Sequence, residues 1–160
     1  MKIKFFTTGG TIDKVYFDAR SEYQVGAPQV TEILKEANVA FEYEVVSILQ
    51  KDSLDMTDAD RQAIREAVEA EPCPRIIITH GTDTMVDTAK WLLGLADKTI
   101  VFTGAMEPAR SRYTDAIFNV GCAIGAVQTL PPGVYIAMNG RVYPAKRVRK
   151  NYETRQFEEA

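Results

Sequence analysis

Short apolar runs alternate with longer amphipathic stretches along this chain, a pattern typical of a parallel sheet with helices on both faces. Strands are predicted at residues 3–6, 41–46, 75–79, 99–102 and 134–138. The third of them, Arg75-Ile76-Ile77-Ile78-Thr79, is continuously apolar between its ends, as expected of a strand buried on both faces. Helices are predicted at residues 28–38, 57–71, 85–95 and 114–130. This order predicts an α/β fold with a doubly wound, mostly parallel sheet flanked by helices.

Individual residues mark where several of these elements begin or end. Pro28 suits the first turn of a helix, and Thr57 with Asp60 forms a capping-box pattern at the start of the next helix. Asn139-Gly140 is typical of a type I′ turn. We therefore expect a C-terminal β-hairpin in which the fifth strand pairs with the residues after Gly140.

Residues 9–27 show no clear period. A segment of this length in a compact domain is usually a functional lid or disordered. Because Asp13, Lys14 and Glu22 offer it little apolar surface to bury, we expect a lid that is mobile without ligand and ordered with ligand.

Composition places the chain among ordinary globular proteins, with 160 residues, 46% hydrophobic and 26% charged. We expect residues 1–160 to form a single domain, since this length supports one core and not two. No apolar stretch reaches membrane-spanning length and the net charge is −3, so we expect neither membrane nor nucleic acid as a partner. The amino terminus lacks a signal-peptide core, which favours a cytoplasmic location. Cys73 and Cys122 have no metal-type spacing and suggest no disulfide framework.

Two threonine-glycine turns carry the candidate chemistry. Thr8-Gly9-Gly10-Thr11-Ile12 follows the first strand, and His80-Gly81-Thr82-Asp83-Thr84-Met85 follows the third. Ligands of open α/β sheets bind outside the carboxyl ends of the strands. We therefore expect Thr11 and Thr82 to share one site.

These two turns resemble the signature motifs of bacterial L-asparaginases, amidohydrolases that use a threonine nucleophile. The resemblance extends over almost the whole chain, through Tyr23, Asp52-Ser53-Leu54-Asp55-Met56, Gly104-Ala105-Met106, Asp115, Phe118-Asn119 and Met138-Asn139. It matches only the family's amino-terminal domain, so we expect no C-terminal domain. It implies hydrolysis of L-asparagine to L-aspartate and ammonia through an acyl-threonine intermediate, without a cofactor or metal, and possible weak glutaminase activity.

The resemblance also implies residue roles. Thr11 would be the nucleophile, with Tyr23 either relaying its proton once the lid closes or only excluding water. Thr82, Asp83 and Lys150 would form a second proton-transfer group, in which Lys150 matches the family's catalytic lysine. The implied substrate-binding residues are Gly10, Ser53, Leu54, Gly81, Thr82 and Asp83. Among them Ser53 would bind the α-carboxylate and Asp83 the α-ammonium, while Leu54 stands where many relatives carry glutamine.

Simpler structural roles are available for three of these positions. Thr82 also suits a helix N-cap, with Asp83 as an acid in the first turn. His80, the only histidine, is expected to be a buried, hydrogen-bonded spacer. A regular hairpin would carry Lys150 away from the site, although Pro144 favours a bend in the returning strand.

Two further expectations concern partners and alternative functions. Family active sites are completed by an acidic residue from a neighbour's C-terminal domain, so we expect a homodimer or higher homo-oligomer here, in which Tyr152 and Phe157 are contacts unless the terminus is frayed. The main alternative function is a noncatalytic amino-acid-binding module or a subunit of a larger amidase complex. Hydrolysis of another primary amide, such as glutamine or a peptide-terminal asparagine, is a third possibility.

Overall fold

The computed structural model describes residues 1–17, 22–95 and 97–160. In chain order the strands are β1 (Lys2–Gly9), β2 (Lys14–Phe17), β3 (Glu22–Val25), β4 (Glu42–Lys51), β5 (Arg75–Thr79), β6 (Thr99–Thr103), β7 (Gly133–Met138), β8 (Arg141–Pro144), β9 (Val148–Asn151) and β10 (Gln156–Glu159). The α-helices are α1 (Val30–Glu36), α2 (Asp58–Ala70), α3 (Met85–Trp91) and α4 (Ala116–Thr129).

A six-stranded sheet forms the centre of the fold, with strand order β4-β1-β5-β6-β7-β8. The first five strands in this order, β4, β1, β5, β6 and β7, are parallel to one another, and β8 is antiparallel to β7. Helices α1 and α4 pack on one face, where Phe5 and Ile77 are fully buried. Helices α2 and α3 cover the other face, over Ile76 and Ile78. The arrangement confirms the doubly wound α/β fold that the alternation of apolar and amphipathic stretches predicts.

The local signals are largely confirmed. Thr57 Oγ1 accepts a hydrogen bond from the Asp60 amide, and the Asp60 carboxylate accepts one from the Thr57 amide, which completes the capping box of α2. Asn139 and Gly140 have φ values of 55° and 77°, as a type I′ turn requires, and they join β7 to β8. Helix α3 ends at Trp91 rather than at residue 95, and Gly94 with φ 86° turns the chain shortly after it.

The segment after β1 differs from the predicted irregular lid. Strands β2 and β3 pair as an antiparallel ribbon, with Tyr16 opposite Tyr23. The Gly26 amide donates to the Asp13 carbonyl oxygen at 2.8 Å and closes the base of this ribbon. Residues 18–21 of the predicted lid lie outside the described residues.

The carboxyl-terminal tail is also more ordered than predicted. Strand β10 pairs with β9, and Phe157 is 2% exposed within the core on the α2 and α3 face. The Phe157 amide donates to Asn139 Oδ1, and its carbonyl oxygen accepts from the Tyr143 hydroxyl. The prediction of Phe157 as an intermolecular contact or part of a frayed end is therefore wrong, because the chain's own core buries the ring.

Candidate active site

Three turns meet at the carboxyl ends of β1, β4 and β5. Gly10, with φ 84°, lies so close to the Gly81 backbone that a Cβ atom there would overlap it. A Cβ atom on Gly81 would lie 2.6 Å from Ser53 Oγ. Only glycine fits at either position, and this close approach brings Gly10, Ser53 and Gly81 together as the motifs predict.

Thr11 stands at the start of a short 3-10 helix, Thr11–Asp13, directly after the Gly10 turn. The residue is half-buried. Its hydroxyl makes no hydrogen bond to any other residue that the structure describes. Thr11 therefore presents an unengaged hydroxyl beside the Gly10–Gly81 contact, and its role as nucleophile stays a prediction.

Lys150, Thr82 and Asp83 form one hydrogen-bonded cluster. The Lys150 ammonium donates to Thr82 Oγ1 at 2.9 Å and to Asp83 Oδ1 at 2.8 Å. The Lys150 side chain is 11% exposed and the Asp83 side chain 31%. Since Thr82 Oγ1 accepts from Lys150, its own proton points elsewhere, and Met106 Sδ lies 3.8 Å from it as a weak acceptor. The structure thus joins the three residues that the sequence analysis groups together.

A bend at Pro144 brings Lys150 to this cluster. Strand β8 ends at Pro144, the 3-10 helix Ala145–Arg147 follows, and β9 then carries Lys150 toward the turn after β5. The predicted bend is confirmed. A regular continuation of β8 would have led in the opposite direction, because β8 runs antiparallel to β7.

The simpler role predicted for Thr82, a helix N-cap, is wrong. Helix α3 begins at Met85 and its N-cap is Thr84, so Asp83 lies outside the first turn. The Thr84 hydroxyl donates to the Ser53 carbonyl oxygen at 2.9 Å. This bond ties the start of α3 to the loop after β4 and leaves Thr82 and Asp83 in the turn that faces Lys150.

Ser53 and Leu54 differ sharply in exposure. Ser53 is buried, and its Oγ accepts a hydrogen bond from the Thr84 amide at 3.3 Å. Leu54 is 70% exposed, so an apolar side chain projects from this implied substrate-binding position. The Asp52 carboxylate accepts from the Leu54 amide. Although burial opposes ionisation, that bond and the Lys14 ammonium hold the pKa of Asp52 below its usual value.

Tyr23 lies on the β2-β3 ribbon and does not reach Thr11 in this structure. Its ring is 56% exposed and packs edge-on against Tyr16, with 5.5 Å between the ring centroids. The Tyr23 hydroxyl makes no hydrogen bond among the described residues. An ion pair of 3.3 Å between Lys14 and Asp52 connects the same ribbon to the loop that carries Ser53.

Asp13, one of the polar residues of the predicted lid, is a buried carboxyl group. It is 2% exposed, and its Oδ1 accepts from the Gln29 amide at 2.9 Å. Burial raises the pKa of Asp13 to about 7, although the hydrogen bond from Gln29 opposes this shift. The sequence gives little indication that Asp13 is buried, because aspartate side chains are mostly exposed in folded proteins.

His80 is buried and hydrogen-bonded, as predicted. Its Nδ1 lies 2.7 Å from the Gly81 carbonyl oxygen, which can only accept, so Nδ1 carries the proton. Its Nε2 then accepts from the Thr88 hydroxyl at 2.8 Å, and Thr88 accepts from Arg61 Nε. Burial lowers the pKa of His80 to about 4, which keeps the ring neutral at neutral pH. The chain of bonds orients the Gly81 carbonyl group, and no sequence pattern singled out Thr88 or Arg61.

Asp115 and Asn119 support the loop that carries Met106. The Asp115 carboxylate accepts from the amides of Met106 and Glu107 and from Asn119 Nδ2, at 2.9 to 3.1 Å. Asn119 also donates to the Gly104 carbonyl oxygen. These bonds hold Met106 beside Thr82.

Two wider features bear on the site. Within residues 1–17, 22–95 and 97–160, no helix is long and apolar enough to cross a membrane. Over the same ranges, no three side chains of His, Cys, Asp or Glu lie together as a metal ion would require.

Comparison with known proteins identifies the family. The “Asparaginase, N-terminal” family matches residues 2–158. The chain is 33% identical to L-asparaginase 2 of Escherichia coli and 30% identical to the probable periplasmic L-asparaginase of Haemophilus influenzae, each over 95% of this chain and 47% of the relative. The structure of the thermostable L-asparaginase from Thermococcus kodakarensis covers 99% of this chain with a TM-score of 0.84 and 27% identity, over 51% of that chain. The chain thus spans about half the length of these relatives, and it belongs to the asparaginase family, matching the family's amino-terminal domain.

Proposed function

We propose that this chain hydrolyses the side-chain amide of L-asparagine to L-aspartate and ammonia through an acyl intermediate on Thr11. The observation that carries the proposal is the cluster of Lys150, Thr82 and Asp83 beside the Gly10–Gly81 contact, in a chain of the asparaginase family. An amidohydrolase needs a nucleophile and a group that transfers its protons, and this site has a candidate for each.

Thr11 is the nucleophile in this scheme. Its Oγ1 attacks the amide carbon of the substrate, its proton passes to the leaving nitrogen, and ammonia departs as the C–N bond breaks. Water then hydrolyses the resulting ester and restores the hydroxyl. The half-buried position and unengaged hydroxyl of Thr11 support this role. The Tyr23 hydroxyl makes no hydrogen bond to Thr11 in the present arrangement. Tyr23 therefore acts as a proton relay to Thr11 only if the β2-β3 ribbon moves toward Thr11.

Thr82 and Lys150 move protons in the second group. Once Lys150 has released a proton, its amine can take the proton of the Thr82 hydroxyl, and Thr82 can then take one from the attacking water. The proton held by Lys150 returns to Thr11 Oγ1 as the ester C–O bond breaks. The short bond between Lys150 and Thr82 supports this relay, and the ion pair with Asp83 holds the lysine in place between turnovers.

Substrate recognition uses the charges of a free amino acid. Asp83 binds the α-ammonium through Oδ2, which has no partner among the described residues, while Oδ1 holds Lys150. Ser53 and neighbouring amides bind the α-carboxylate. Gly10 and Gly81 allow backbone to approach the ligand closely, and Leu54 contributes an exposed, apolar side chain that offers the substrate no hydrogen bond.

Several finer properties stay proposals. We propose weak activity on glutamine and a homodimer or higher homo-oligomer. We also propose a cytoplasmic location, which fits the two free cysteines, although the Haemophilus influenzae relative is named as periplasmic. Mass in solution across a dilution series tests the oligomer, and cell fractionation tests the location.

Ammonia release from L-asparagine, L-glutamine and amino-capped asparagine by this 160-residue chain tests the proposed function. We expect turnover of asparagine well above that of the other two amides. Preference for capped asparagine would contradict the role of Asp83. Binding of asparagine without ammonia release would instead favour a noncatalytic amino-acid-binding module.

A further inference from the structure

Tyr152 makes two polar contacts to the lysine cluster although most of its side chain faces solvent. The Lys150 Nζ lies 4.8 Å from the centroid of the Tyr152 ring, within the range of a cation–π interaction. The Tyr152 hydroxyl donates to the Asp83 carbonyl oxygen at 3.2 Å. Since the residue is 64% exposed, core packing does not explain where its ring lies.

These contacts address a physical difficulty of a lysine-based site. A lysine side chain has four rotatable bonds and loses much conformational freedom when it is held in one position. The Tyr152 ring lies against the ammonium that donates to Thr82 and Asp83. The bond to the Asp83 carbonyl oxygen anchors that ring to the same turn.

We propose that Tyr152 is a positioning residue for Lys150, which holds the lysine amine against Thr82 and Asp83 for proton transfer. This inference rests on the proposed amide hydrolysis and adds a residue that acts through Lys150 rather than on the substrate.

The protonation state of the phenol agrees with this role. The partial desolvation of the phenol, together with the negative charges of Asp83 and Asp87, raises the pKa of Tyr152 above its usual value near 10. The hydroxyl therefore remains a neutral donor to the Asp83 carbonyl group throughout the neutral pH range.

Two substitutions separate the contributions of the ring and the hydroxyl. Tyr152→Phe keeps the ring over Lys150 and should lower kcat about threefold, while Tyr152→Leu removes both contacts and should lower kcat about tenfold. KM for asparagine should stay within about twofold of wild type in both, because the proposed role of Tyr152 acts through Lys150 and not on the substrate. Tyr113→Leu is the matched control, since Tyr113 is exposed and lies 5.3 Å from the Arg112 guanidinium outside the cluster. A kcat of Tyr152→Leu equal to that of the control, or a raised KM at constant kcat, would overturn the proposal.

A second readout does not depend on turnover. Ring currents of Tyr152 should shift the NMR signals of the Lys150 methylene protons next to Nζ, and this shift should persist in Tyr152→Phe and disappear in Tyr152→Leu. Lys150 signals that are identical in all three proteins would overturn the positioning role even if the enzyme is active. Conversely, a wild-type chain that releases no ammonia from any amide, yet shows the ring-current shift, would refute the proposed function while retaining the contact between Tyr152 and Lys150.

Discussion

Replacing Asp13 by asparagine should stabilise the protein at neutral and alkaline pH. Asp13 is 2% exposed, and its Oδ1 accepts a hydrogen bond from the Gln29 amide. The asparagine side chain has nearly the same shape and can accept the same bond through its carbonyl oxygen. The substitution therefore removes the buried ionisable group while it preserves the contact.

The size of the effect follows from the pKa of Asp13 in the two states. Burial raises this pKa to about 7 in the folded chain, against an ordinary value of 3.8. Between about pH 4 and pH 7 the folded chain keeps a proton that the unfolded chain has lost, so the free energy of unfolding falls as pH rises through this window. The separation of about three pH units corresponds to at most roughly 4 kcal/mol.

Urea unfolding of wild type and Asp13→Asn from pH 4 to pH 8.5 measures this difference. The two proteins should have similar stability near pH 4, and the variant should gain with rising pH until the difference levels off above about pH 7. Asp87→Asn, at an exposed carboxylate, is the control and should show no such trend. A stability difference between Asp13→Asn and wild type that does not change with pH would refute the reasoning.

Three further predictions test the site and the fold. Thr82→Val and Lys150→Met should each lower kcat by about 10²- to 10⁴-fold. The kcat of the double variant should be no lower than that of the less active single variant, and losses that multiply would contradict a shared cluster. Phe157→Ala should lower the free energy of unfolding in urea by about 3 to 5 kcal/mol, because it removes a buried ring. A loss near zero would instead indicate that the terminus is frayed. Lys14→Met, which breaks the ion pair with Asp52, should speed amide hydrogen exchange in β2 and β3 with a stability loss of about 1 kcal/mol or less, and unchanged exchange would show that the pair does not hold the ribbon.

The sequence predicts the sheet and its helices because their residues show clear periods. The run Ile76-Ile77-Ile78 predicts a strand buried on both faces, and the Thr57–Asp60 capping box predicts the start of α2. Periodicity does not predict the β2-β3 ribbon, because its short strands do not cover the core and carry both polar and apolar residues. Periodicity does not predict the burial of Phe157 either, because a single buried aromatic residue among charged neighbours shows no period.

Local motifs predict part of the candidate site, and long-range packing determines the rest. The two glycine turns place Thr11 and Thr82 correctly at the carboxyl ends of neighbouring strands. Lys150 needed the bend after Pro144, which a single proline only suggests. The burial of Asp13 and the contact of Tyr152 with Asp83 depend on distant segments meeting, so residue type alone indicates neither.

The central claim is that Thr11 carries an acyl intermediate, and mass spectrometry after rapid acid quench of the chain during turnover of L-asparagine tests it most directly. The claim predicts that part of the peptide containing Thr11 gains the mass of an aspartyl group. A Thr11→Val variant, which keeps nearly the same side-chain shape, should show no gain and no turnover. A Thr11 peptide that stays unmodified during turnover, together with wild-type ammonia release by Thr11→Val, would contradict the claim.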